Sequence, residues 1–203
     1  MGRGIVNALQ EIGDKDAVKP LIEAFDVNNE VRLHIVRALG SIGDRRAVPL
    51  VFKALSDNYE WVRILATEAL DELKWVPQSD KEEALYLVAK LSKRSGSSDA
   101  LEGTKKIIEL GEVAVEPLTR IMNYEVNLIG PEDSPRYGTK KHSPRAGGEL
   151  VIGDNSTSYG TKKHLVNIAD ILGEIGGEQA IKSLLDALSY PNEREEDEGT
   201  NRS

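Results

Sequence analysis

The chain has 203 residues, a formal charge of −8 and no cysteine. Disulfides, thiolate metal sites and cysteine nucleophiles are therefore excluded, and the charge opposes bulk attraction to nucleic acid or an anionic membrane. No apolar run approaches the roughly 18 residues of a membrane helix. Met1-Gly2-Arg3-Gly4 opens no signal-peptide pattern, and Val6 breaks the myristoylation pattern, so a soluble cytoplasmic protein is expected.

In chain order, the first helix is predicted over residues 5–12 and is shorter than its later equivalents. A solenoid end normally carries a polar cap, so this end is expected to be a truncated unit or one covered by a neighbour. The lead-in ALQEIGD (residues 8–14) then introduces AVKPLIEAF (17–25), and ALGSIGD (38–44) introduces AVPLVFKAL (47–55). The nonapeptide returns as AVEPLTRIM (114–122) and AIKSLLDAL (180–188), the last preceded by LGEIGG (172–177). Self-similarity at about 30 residues implies stacked helical units, none able to bury its apolar face alone.

Residues 29–55 show how one unit is built. Val31, Ile35, Ala38, Leu39 and Ile42 fall on one helical stripe, and Ala47, Val48, Val51, Phe52 and Leu55 on a second. Between them Gly43 supplies the left-handed residue that stops a helix, and Asp44 caps the next. Trp61, Leu65, Ala69 and Leu70 continue the grammar. Ser79 with Glu82 reads as a capping box opening a helix through Ala84, Leu85, Leu87, Val88 and Leu91. SGSS (95–98) marks a flexible joint before a helix ending at Leu110-Gly111. Leu165, Ile168, Ala169, Leu172 and Ile175 form the last first-helix stripe.

The segments VRLHIVRALGSIGDRRAVPLVFKAL and WVRILATEALDELKW resemble HEAT repeats of the phycobilisome-lyase-like class. The resemblance covers about residues 5–128 and 164–188, and implies an all-α solenoid of about five helix pairs. It also implies that Arg32 and Arg63 join a ladder with loop residues Asp26 and Asp57, ending where Asn127 replaces arginine. Second helices would line a concave face, exposing Lys19, Glu23, Lys53, Glu116, Arg120, Lys182 and Asp186. That mixture of signs suits a protein partner better than a polyanion.

Residues 130–163 break the pattern, with three prolines, six glycines and no helical periodicity. Asn123-Tyr124-Glu125 mirrors Asn58-Tyr59-Glu60, so a first helix is expected to start there, be interrupted, and resume near His164. Within the insert, YGTKKH occurs at 137–142 and again at 159–164, and residues 149–155 (ELVIGDN) fit a short β-hairpin. Arg136, Tyr137, Lys140, Lys141, His142, Arg145, Tyr159, Lys162 and Lys163 make this segment basic in an acidic chain. They are the candidate partner-binding residues, together with Lys19, Lys53, Arg120 and Lys182. The single array is expected over residues 4–190, followed by a disordered acidic tail at 191–203.

No catalytic constellation stands out. A nucleophile elbow and a phosphate loop are both missing, and no acidic residue at ligand spacing joins His142 and His164. His34 reads as a packing histidine. Tyr59, Trp61, Trp75 and Tyr86 read as packing at one junction between units. The expectation is a non-catalytic protein-interaction scaffold with no cofactor and no metal. The alternatives are a nucleic-acid-binding HEAT-like protein, using the aromatic junction and basic insert, and a bilin lyase-like enzyme or accessory.

Overall fold

The computed structural model describes residues 2–26, 31–92, 98–128, 142–144, 150–152 and 156–189. It divides into two compact units, Met1–Pro117 and Leu118–Ser203. Among the described residues the fold is helical, with ten α-helices packed in sequence. None is long and apolar enough to cross a membrane.

In the first unit the helices are α1 (Gly2–Ile12), α2 (Val18–Phe25), α3 (Arg32–Ile42), α4 (Val48–Ala54), α5 (Glu60–Glu72), α6 (Asp80–Leu91) and α7 (Ser98–Leu110). First helices stack on first helices, α1 on α3 and α3 on α5, while α2 packs on α3 and α4 on α5. Predicted stripe residues make much of this core, with Ile35, Ala38, Leu39, Val51 and Leu70 fully buried, and Val36 and Val62, outside those stripes, are fully buried too. Burying each such aliphatic side chain stabilises by roughly 1.5–3 kcal/mol. Stacking is close at Gly40, where an added Cβ would stand 2.9 Å from Ala69 Cα.

The turn chemistry is as the residues require. Gly43 lies at φ +71° and ends α3, and the Asp44 carboxylate accepts from Arg46 N–H at 2.9 Å to start the next turn. In the following unit a lysine, Lys74, holds the left-handed conformation at φ +54°. Ser79 caps α6 as expected, but Glu82 reaches back to Gln78 N–H at 2.7 Å rather than to the cap residue itself.

Helix α8 (Glu112–Leu128) contains Pro117, where the division between units falls. It corrects one expectation: no first helix begins at Asn123-Tyr124-Glu125, because α8 runs straight through them. The Asp57 carboxylate that accepts from Tyr59 N–H before α5 has no counterpart here, since Met122 directly precedes Asn123. Apolar residues instead keep helical period through Leu118, Ile121 and Met122.

In the second unit α9 (Ser156–Ile175) packs on α10 (Gly177–Leu188). The insert is therefore shorter than its composition suggests, because residues 156–163 are already helical. Extending a helix from the strongly amphipathic Leu165–Ile175 stretch needs no new nucleus, so a polar cassette can join it. Two three-residue strands, β1 (His142–Pro144) and β2 (Leu150–Ile152), pair antiparallel. The turn expected at residues 153–155 lies outside the described residues, as do the joint at 95–97 and the tail at 191–203.

The Arg46 guanidinium, and then its backbone N–H, hold the Asp44 carboxyl at about 2, below its ordinary 3.8. A depressed carboxyl contributes stability that is complete above about pH 4 and is lost as pH falls toward 2. Asp44→Asn keeps a capping oxygen but removes the charge. Acid titration followed by circular dichroism should therefore show a smaller loss of stability for the variant than for wild type across that window.

Candidate functional site

Polar groups in the first unit are organised to join neighbouring repeats. Arg32 Nη1 pairs with Asp57 Oδ2 at 3.0 Å, and Asp57 Oδ1 accepts from Tyr59 N–H at 2.8 Å. Arg63 is only 2% exposed, and its Nη1 donates to Asp57 O at 3.0 Å and Asn58 O at 3.1 Å. Its Nη2 and Nε reach Ser92 Oγ in the next repeat at 3.3 and 3.4 Å. The ladder thus contains Asp57, as the resemblance implies, but Ser92 takes the next rung. Asp26 pairs with Lys53 at 3.0 Å instead of an arginine.

A second seam runs along the turns. Arg46 Nη2 donates to Lys15 O at 2.9 Å and Arg45 Nη2 donates to Lys74 O at 3.3 Å. Two consecutive arginines therefore hold one repeat to both of its neighbours. Sequence reading passed over them; the signal was Arg45-Arg46 standing where the preceding repeat has Lys15-Asp16.

Aromatic side chains fill one junction. Phe52 and Trp75 stack at 5.4 Å, Trp75 and Tyr86 at 5.6 Å, and Tyr59, Trp75 and Tyr86 pack against the core. Tyr86 OH donates to Asp71 Oδ1 at 2.5 Å, and burial, then Asp71, push its hydroxyl well above the ordinary range. His34 is half-buried, and burial followed by Arg3 and Arg37 lowers its pKa, which favours the neutral packing form.

In the second unit His164 Nδ1 lies 2.5 Å from Glu125 Oε1, and both side chains are buried. Glu125 sits in the last turn of α8, and His164 closes the second YGTKKH cassette within α9. The pair therefore joins the helices on either side of residues 129–155. Thr119 Oγ1 donates to Ser183 Oγ at 2.8 Å, tying α8 to α10 as well. A histidine–carboxylate pair orients an imidazole, but no hydroxyl or thiol bonds His164 Nε2 among the described residues. Nor do those residues contain a group of three metal-ligating side chains.

The pair went unseen in the sequence because its members stand 39 residues apart across the insert. Removing one member leaves the other buried without its partner. Glu125→Ala should therefore cost about 2 kcal/mol and speed amide exchange along α9 while leaving α3–α5 exchange unchanged.

The candidate binding residues are dispersed. Lys19 is exposed beside Glu23 at 3.9 Å, Lys53 is engaged by Asp26, and Arg120 and Lys182 are exposed. His142 lies on β1, and Tyr159, Lys162 and Lys163 lie on α9. Arg136, Tyr137, Lys140, Lys141 and Arg145 fall outside the described residues, and so does the Asn127 side chain.

Residues 3–71 and 19–100 match the HEAT repeats family. The chain accordingly carries HEAT repeats in residues 3–100. No curated protein matches it.

Proposed function

We propose that the chain is a non-catalytic, cytoplasmic protein-interaction scaffold of the phycobilisome-lyase-like HEAT class. HEAT repeats are typical protein-binding modules, and the exposed second-helix positions Lys19, Glu23, Glu116, Arg120, Lys182 and Asp186 mix both charges. The observation carrying the reading is the buried Glu125–His164 pair. It joins the two helices between which residues 129–155 run, as a presented binding arm requires. The insert cluster Arg136, Lys140, Lys141 and Arg145 and the exposed Arg120 and Lys182 of the same unit form the contact surface, and the partner is a protein carrying acidic groups.

The test compares affinity capture by the intact chain with capture by a form in which residues 130–155 are replaced by a short linker. The deletion should leave helicity and melting nearly unchanged. A partner held by the intact chain and lost on deletion supports the proposal. Equal retention by both forms removes the insert from recognition, and capture of nucleic acid with steep salt dependence contradicts the protein-partner reading.

A further inference from the structure

Among the described residues, the face that an interior repeat buries against its neighbour is exposed on α1 and on the α9–α10 pair. Matching ALQEIGD to ALGSIGD sets Ile5, Ala8 and Ile12 of α1 beside Ile35, Ala38 and Ile42 of α3. The corresponding residues of α5 are Ala66, Ala69 and Leu73. Ile35, Ala38, Ala66, Ala69 and Leu73 are all buried, yet Ile5 is 57% exposed, Ile12 70%, and Ala8 is exposed too. On α10, Ile181, Leu185 and Leu188 align with Val18, Ile22 and Phe25 of α2. Leu188 is 82% exposed where Phe25 is 2% exposed.

Glycine positions identify what fits there. Gly40 of α3 is the seat on which α5 rests, its added Cβ meeting Ala69 Cβ at 2.8 Å and Glu72 Oε2 at 2.6 Å. Gly173 holds the same place on α9, in ILGEIGG against ALGSIGD, and an added Cβ there meets nothing within 4 Å among the described residues. The segment that seats on Gly40 is Ala69-Leu70-Asp71-Glu72. Helix α1 carries the same pattern as Ala8-Leu9-Gln10-Glu11 and presents its alanine outward.

We infer that α1 of a second copy docks on the α9–α10 face, with Ala8 over Gly173, so that the chain associates head to tail. Ile5 and Ile12 of one copy then meet Ile181, Leu185 and Leu188 of the other, continuing the packing seen inside the array. The contact is heterologous, and therefore extends or closes into a ring according to its rotation. It also lacks the interior polar bonds. Asp16 stands where Arg46 donates to Lys15 O, and Glu23 stands where Lys53 pairs with Asp26. Association is accordingly reversible. This inference stands apart from the identity of any other partner.

Sedimentation velocity of the full chain over a concentration series tests it. Both Ala8→Glu and Gly173→Gln alter exposed positions, and circular dichroism should show both folded. Each should weaken self-association about tenfold or more. Each variant still keeps one intact face, so an equimolar mixture of the two should form a one-to-one heterodimer and nothing larger. The inference is overturned by a wild-type chain that stays monomeric throughout, by association insensitive to both variants, or by a mixture that does not pair. If the wild type is monomeric and Gly173→Gln speeds proteolysis of residues 190–203, the chain's own tail is the occupant instead.

Discussion

Gly40→Val should destabilise the first unit by about 3 kcal/mol, while Gly173→Ala should stabilise the second by about 0.5–1 kcal/mol. Both glycines occupy the same position of the same motif inside helices, so intrinsic propensity alone favours replacing either. The difference is what stands in front. A Cβ at Gly40 falls within 3.0 Å of the Ala69 backbone, which cannot swing aside as a flexible side chain would. Valine adds two further methyl groups to a space already overfilled, and either α3 and α5 separate or α5 shifts along its axis. At Gly173 an added Cβ meets nothing within 4 Å among the described residues, and the helix-propensity gain remains. Urea unfolding of dilute samples, read by circular dichroism, would check both signs. Equal effects at the two sites would show that repeat contact does not decide the cost.

Arg63→Ala should cost about 3–5 kcal/mol. The guanidinium is buried, and its removal leaves the Asp57 and Asn58 carbonyls without a donor and a cavity between two repeats. Arg63→Lys should recover less than half of the loss, because an ammonium cannot bridge two carbonyls on one side and Ser92 on the other. Ser92→Ala is the milder probe, at about 1 kcal/mol, since the arginine keeps its carbonyl partners. Unfolding midpoints of the three variants give the order. A near-neutral Arg63→Ala would mean that the ladder is ornamental and that apolar stacking alone holds the repeats.

The helical pairs were legible because their determinants are local. Apolar spacing in ALGSIGD and AVPLVFKAL set both helices, and Gly43 and Asp44 fixed the turn between them. Lys74 shows the limit of that reasoning, since nothing in its residue type announces a left-handed conformation. The continuation of α8 through Asn123-Tyr124-Glu125 was misread for a related reason. The tripeptide matches a helix start, but the start at Asn58-Tyr59-Glu60 depends on Asp57, which lies outside the matched residues. The polar contacts were the least legible. Arg32 with Asp57, Arg63 with Ser92 and Glu125 with His164 join residues 25, 29 and 39 positions apart, and pairing at such range is set by stacking geometry. The candidate binding residues follow the same division. Exposure of Lys19, Arg120 and Lys182 could be read from helical phase, but the engagement of Lys53 by Asp26 could not.

The most direct measurement is amide hydrogen exchange of the chain alone and bound to a captured protein partner. The account predicts new protection within residues 130–163 and on the exposed second-helix positions around Arg120 and Lys182. The Phe52–Trp75–Tyr86 junction should exchange as before. Protection centred on that aromatic junction, with the insert unaffected, would contradict the account and return recognition to the helical repeats.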